Sequence, residues 1–391
     1  MRIIAFGIVA GLATTLAACS EGSGSGSSSG GGSAASAGDI KIGVVLDITG
    51  AGASLGVPER QTIEMLAEQV NAAGGINGRK VKLYIEDNQS TEDGAAKATS
   101  KLLNTEKVDV IIGASRTGPS LAMRPLAEKA EKPMVSLAAN QKIVDGSKWV
   151  FKTAQNDRVV LEKMVDDMKA KGLTKVAVAR DASGFGEGIP EMFADIGKAA
   201  GITVVKVEKF APDATDFTSQ MTNLRASDPQ AVVIWGIPPA AGLAQKAYKQ
   251  LGITVPVYQS HGIGNQAFLD TAGDTANGLL APLGRMLVAD QLKADDPQKP
   301  VVTKFIADFK AKYNANPSTF AGHAYDGFMI TVEALKKAGT DAAKLRDALE
   351  QTSKWPGVSG VFTMTPTDHS GLTKDALVIV TVDNKTWKVA G

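Results

Sequence analysis

The sequence predicts an α/β protein of two domains, each built on a parallel sheet. From residue 40 onward, apolar runs of strand length alternate with amphipathic segments of helical length, and that alternation means doubly wound sheets. The alternation restarts near residue 157, and 391 residues suit two domains of ordinary size. The composition, 44% hydrophobic and 21% charged, supplies ample core. Net charge is +1 with no long basic or acidic block, so no nucleic-acid partner is expected.

The first set has strands at 40–46, 81–86 and 108–112. The run Ile40-Lys41-Ile42-Gly43-Val44-Val45-Leu46 has the pattern of a buried strand. Ile63, Leu66 and Val70 recur at helical spacing over 59–73, and Asn71-Ala72-Ala73-Gly74-Gly75 supplies the stop. Further helices are expected at 91–105 and 120–131. The second set has strands at 175–179, 202–207, 231–235 and 255–258, with helices at 158–171, 187–200, 217–226 and 240–251. After residue 282 come helices at 301–313, 320–337 and 341–351, then β-like stretches at 360–364 and 376–382. A late return of the chain to each domain fits this order.

The N-terminal segment is expected to lie outside the fold. Arg2 precedes an apolar stretch of 14 residues, Ile3 to Leu16, the length of a signal-peptide core and too short for a comfortable membrane span. Leu16-Ala17-Ala18-Cys19 looks like a bacterial lipobox. Cys19 is the only cysteine, so no intramolecular disulfide or thiolate metal cluster is possible, and it is expected to carry lipid. Acyl chains contribute about 0.8 kcal/mol per buried methylene, so such an anchor would be stable. The Gly/Ser-rich tract at 20–38 is expected to be a flexible tether with a root-mean-square span of about 24 Å.

Motifs for chemistry are sparse. Gly50, Gly52 and Gly56 follow the first strand, where a dinucleotide fingerprint would sit. The third glycine is one residue late, and Glu86-Asp87 is too distant for the ribose-binding acid. The glycines are expected to serve a tight strand-to-helix turn, and no cofactor is expected. There is no H-E-x-x-H. Of three histidines, His323 is expected to be a packing residue and His369 a solvated loop residue. The loop 113–120 ends a strand and opens a helix at Pro119, with Thr117 or Gly118 as cap. Its amides and helix dipole form a natural carboxylate site, to which Arg116 adds a positive charge.

These segments resemble the leucine/isoleucine/valine-binding protein family. The likeness runs through Ile40–Leu46, Gly50 to Gly56, Val70-Asn71-Ala72-Ala73-Gly74-Gly75-Ile76-Asn77-Gly78-Arg79, Ala138-Ala139-Asn140, Gly184-Phe185-Gly186-Glu187-Gly188 and Ala272-Gly273-Asp274-Thr275-Ala276-Asn277-Gly278. The resemblance implies a type I periplasmic-binding-protein fold: two Rossmann-like lobes, a hinge of three crossovers, and a ligand clamped between. It implies lobe 1 at 40–156 plus 283–363 and lobe 2 at 157–282 plus 364–391, after a signal peptide at 1–18 and a lipidated tether at 19–39. Carried over by position, Thr117 supplies a hydroxyl to the ligand carboxylate, and Ala138 and Asn140 face it with a backbone carbonyl and a side-chain group. Leu55, Phe185, Ile237 and Phe320 form apolar walls and floor. His261 stands where the branched-chain amino-acid binders of the family carry a glutamate that grips the ligand ammonium. Together with Arg116, this departure tilts the expected site toward an anion, unless Asp157 or Asp181 replaces the missing carboxylate.

The function implied is capture of a small carboxylate-bearing solute, an amino acid or an aromatic or aliphatic acid, by a non-enzymatic, monomeric binding protein. Its partners would be the permease subunits of an ABC importer and, through the lipid, a membrane, placing it in the periplasm or on the cell surface. The alternatives are a secreted nucleotide-dependent enzyme and a sensory subunit of the same fold.

Overall fold

The computed structural model describes residues 38–390, which form one compact unit. The leader at 1–18, Cys19 and the tether up to residue 37 lie outside the described residues. Five strands, β1 (Ile40–Leu46), β2 (Val81–Asp87), β3 (Val110–Gly113), β4 (Met134–Ser136) and β5 (Val150–Lys152), form a parallel sheet in the order β2-β1-β3-β4-β5. Val44 and Val45 point to opposite faces, and both are buried. Helix α1 (Ala53–Ala72) packs Ile63 and Leu66 on one face. Helices α2 (Glu92–Lys101) and α3 (Thr117–Lys129) pack Ala95 and Met123 on the other. This two-sided cover is why β1 is a near-continuous apolar run.

The second sheet has the order β7-β6-β8-β9, from β6 (Lys175–Asp181), β7 (Thr203–Phe210), β8 (Ala231–Trp235) and β9 (Val257–Gln259), again parallel. Helices α4 (Asp157–Ala170) and α5 (Ile189–Lys198) cover one face; α6 (Thr218–Ala226), α7 (Ala240–Gln250) and α8 (Gln266–Ala272) cover the other. The chain then returns. Beyond β10 (Ala281–Gly284) come α9 (Lys299–Tyr313), α10 (Thr319–Ala338) and α11 (Ala342–Glu350). They add Phe305, Phe328 and Leu345 to the core of the first sheet. After the short pair β11 (Trp355–Pro356) and β12 (Val361–Phe362), strands β13 (Leu377–Asp383) and β14 (Thr386–Val389) join β10 in an antiparallel sheet. Val380 and Trp387 there pack into the core of the second lobe.

Several expectations need correction. The first helix starts at Ala53, ahead of the expected 59, so Gly56 lies inside it. Glycine is required there because a Cβ would sit 2.3 Å from the Asp47 carbonyl oxygen. The helix expected at 91–105 ends as an α-helix at Lys101 and continues as a π turn, Leu102–Glu106, closed by Lys107 at φ 54°. Arg116, not Thr117 or Gly118, is the cap of α3. His369 is not a solvated loop residue: it stacks on Phe151 with centroids 4.0 Å apart, and its Nδ1 lies 2.9 Å from the Val150 carbonyl oxygen.

Candidate ligand-binding cleft

A cavity of about 380 Å³ lies where the carboxyl ends of the two sheets face each other. That is where ligands settle in open α/β sheets. Of the residues singled out from the sequence, Leu55, Arg116, Thr117, Ala138, Phe185, Ile237, His261 and Phe320 line it. Asn140 does not. It lies just outside, where its Oδ1 accepts from the Lys142 amide and its Nδ2 donates to the Gly184 carbonyl at 3.0 Å. The Asn140 side chain therefore joins the two lobes. At the same seam a Cβ on Gly184 would lie 3.2 Å from Thr117 Cγ2, so the lobes meet over the cavity.

The first-lobe end of the cavity is the start of α3. Arg116 is extended (φ −120°, ψ 160°) and its carbonyl accepts from Ser120 at 3.0 Å. The Thr117 and Gly118 amides thus fall in the first turn, which has no intrahelical acceptors, and Pro119 has no N–H. Ser120 Oγ fastens this turn, lying 3.1 Å from the Ala114 amide and 2.8 Å from Ser136 Oγ on β4. Arg116 does not bring a free charge. Its guanidinium pairs with the fully buried Asp47 at the end of β1 and also donates to the Ser90 carbonyl. Asp47 further accepts from Asn88 Nδ2 at 2.7 Å. Glu92, beside Gly118, and Glu187 also line the cavity, so its lining carboxylates are not offset by an unpaired arginine.

The second-lobe end holds His261, edge-on to Phe185 and Trp235 at centroid distances of 5.5 and 5.7 Å. Burial, reinforced by nearby His323 and Lys152, pushes its pKa down to about 3, so the ring is neutral at neutral pH. Its Nε2 is 3.9 Å from Asp157 Oδ1, beyond hydrogen-bond reach. Both ring nitrogens and both Asp157 carboxylate oxygens lack hydrogen-bond partners among the described residues. Asp157, the first residue of α4, is fully buried. Burial raises its pKa, against the opposing pull of buried Lys152. Asp181 is raised by burial too. Its Oδ1 accepts from the Ser183 amide and hydroxyl, while Oδ2 has no partner among the described residues. His323 lines the cavity as well as packing, with Nδ1 2.9 Å from Ser359 Oγ.

Sequence reasoning missed Asp47, Ser90, Glu92, Ser115 and Glu187. Asp47 had a usable signal: a lone carboxylate directly after an apolar parallel strand sits at the ligand edge of the sheet. Glu187 lay inside a motif already singled out, without a role assigned to it.

A family model described as periplasmic binding protein matches residues 39–386. Among curated relatives, the Leu/Ile/Val-binding protein homolog 3 of Brucella melitensis is 26% identical over 84% of this chain and 88% of its own. The leucine-, isoleucine-, valine-, threonine-, and alanine-binding protein of Pseudomonas aeruginosa is 29% identical over 80% and 83%. An extracellular ligand-binding receptor from Rhodopseudomonas palustris superposes with a TM-score of 0.85 at 28% identity, covering 90% of this chain and all of that one. A branched-chain amino acid transporter substrate-binding protein from Streptococcus pneumoniae, solved with isoleucine, superposes with a TM-score of 0.80 at 26% identity, covering 90% and 98%.

Proposed function

The chain belongs to the periplasmic-binding-protein family, and from that premise we propose that it captures a small amino acid with an apolar side chain and delivers it to an ABC importer. Its fold is the type I fold of that family. The ligand carboxylate takes the Thr117 and Gly118 amides and the Thr117 hydroxyl. The side chain lies among Leu55, Phe185, Ile237 and Phe320, and the ammonium meets His261 backed by Asp157.

One observation carries the choice of a zwitterion over a bare acid. Asp47 already neutralises Arg116, while a buried carboxylate without a hydrogen-bond partner stands behind His261. An ammonium in a closed cleft is very costly unless paired, and the Asp157 carboxyl, though burial raises its pKa, ionises against an ammonium, which a neutral histidine does not. The second reading, an aromatic or aliphatic acid without an amine, rests on that neutral ring, which can donate to a hydroxyl or carbonyl. Asp157→Asn separates the two in calorimetric titrations of leucine and 4-methylpentanoate. The first reading expects leucine to weaken by about tenfold or more, as a charged hydrogen bond is lost, with 4-methylpentanoate little changed. Equal changes for both ligands contradict it.

We further propose a partition into lobe 1 at 40–156 plus 283–363 and lobe 2 at 157–282 plus 364–391, closing about the ligand as a monomer without chemistry. The anchor is lipid on Cys19 outside the cytoplasmic membrane, supported by the lipobox and the Gly/Ser tract. Intact-mass analysis of membrane-extracted protein checks this: it should show an acylated Cys19 at the N-terminus, and an unmodified Cys19 contradicts it.

A further inference from the structure

The ligand cavity has a second imidazole beside its apolar floor. His323 lies on α10, one turn after Phe320, and both residues line the cavity. Its Nδ1 is turned away, 2.9 Å from Ser359 Oγ. Its Nε2 has no hydrogen-bond partner among the described residues, yet it is not one of their sealed unpartnered atoms. In a residue only 3% exposed, the open surface of Nε2 is surface toward the cavity that His323 lines.

What lies behind Ser359 decides which ring nitrogen carries the proton. Asp326, fully buried on α10, accepts from the Val358 amide at 2.6 Å and the Ser359 amide at 2.7 Å. The Ser359 hydroxyl is a third donor that favours the charged carboxylate. Burial pushes the Asp326 pKa up to about 7 against these donors, so the group is ionised at pH 8. The segment is held firmly, since Gln155 Nε2 donates to the Ser359 carbonyl at 2.8 Å. A hydroxyl has one proton. With that proton turned to Asp326, Ser359 Oγ is left to accept, and it accepts from His323 Nδ1–H. Burial, then Lys152, pushes the His323 pKa down to about 3, so the neutral ring has no second proton to place. Nε2 is therefore a bare acceptor at the cavity wall.

We infer that His323 is a ligand-binding residue: its Nε2, kept unprotonated by Asp326 through Ser359, accepts an N–H of the ligand ammonium. The inference rests on the reading of the cleft as an amino-acid site. His323 stands near His261, at the end of the cavity where that reading places the ammonium. An ammonium brings three donors, and His323 takes one of them. A ligand without N–H donors leaves Nε2 unmatched, so the residue adds selectivity for an amine over a des-amino acid.

Two measurements on the intact, untagged protein test this. The chain has three histidines, and the His323 side-chain nitrogen signals are identified by their loss in His323→Asn. At pH 8 they should show a pyridine-type Nε2 and a pyrrole-type Nδ1, and Ser359→Ala should move Nε2 toward the pyrrole type. Calorimetric titrations then compare leucine with 4-methylpentanoate. His323→Asn keeps a donor to Ser359, its Nδ2 standing in for Nδ1, and deletes the cavity acceptor. It should weaken leucine by about tenfold or more and leave 4-methylpentanoate little changed. His323→Gln, whose Oε1 stands in for Nε2, should recover most of that loss. A pyrrole-type Nε2 in wild type, leucine affinity unchanged in His323→Asn, or equal losses for the two ligands would each overturn the inference while leaving the amino-acid reading in place. Failure of that reading looks different: wild type then binds no leucine, which removes the ammonium and this role of His323 with it.

Discussion

His261 behaves differently from the glutamate that the family resemblance implies at its position. It is neutral because the protein around it disfavours a cation: burial comes first, then His323 and Lys152. Its folded-state pKa, about 3, lies below the unfolded value of about 6.5. The stability this ring contributes is therefore complete above pH 6.5 and is lost as pH falls toward 3. One proton gives a slope of up to about 1.4 kcal/mol per pH unit. Chemical denaturation between pH 7 and pH 5 should show a smaller acid loss for His261→Gln than for wild type, and equal slopes would mean the ring is solvated. At this scale the sequence was informative about which residues approach the cavity, because strand ends and helix starts bring them there. It was silent on partners. Arg116 looked like a free cation because Asp47 lies 69 residues earlier in the chain, and no local pattern links the two. The Asn140 amide was illegible for the same reason, being engaged by a carbonyl 44 residues away.

The junction of β1 with α3 is where element geometry and ligand chemistry meet. Asp47 follows the strand, Arg116 caps the helix, and their ion pair ties the strand end to the start of α3. Asp47 is fully buried and the Arg116 side chain is 16% exposed, so solvent screens the pair little. Arg116→Ala leaves a buried carboxylate alone, a change that costs about 3–5 kcal/mol in such sites. Urea denaturation should show a loss of that order, accompanied by weaker ligand binding. Unchanged stability with weaker binding would instead mean a direct and exclusive ligand contact. Strands of five residues or more were legible from apolar runs: β1 and β8 coincide with their expected limits. The three-residue strands β4 and β5 were not. Segments so short carry little periodicity; β4 takes its place in the sheet by pairing with β3, and β5 by pairing with β4.

Across the whole molecule, the late return of the chain sets the architecture. Phe305, Phe328 and Leu345 go back to the first sheet, and Val380 and Trp387 to the second. The two lobes are thus joined by several passes of the chain, which suits hinge closure and resists free separation. The alternation of strands and helices made the two sheets legible. Which lobe each late segment rejoins rested on the family likeness, because amphipathic helices such as α9 present an apolar stripe that fits either core. Asn140 meets Gly184 beside the cavity, which has the start of α3 at one end and Asp157 behind His261 at the other. The account stands on that polarity. Its most direct test is calorimetric titration of the intact protein with leucine, isoleucine, valine, alanine and phenylalanine, followed by the tightest binder's des-amino acid and decarboxylated amine. The account predicts one equivalent of an apolar amino acid bound, with each truncated analogue weaker by about tenfold or more. Binding of none of the five, or a des-amino acid or amine that matches its parent, would contradict it.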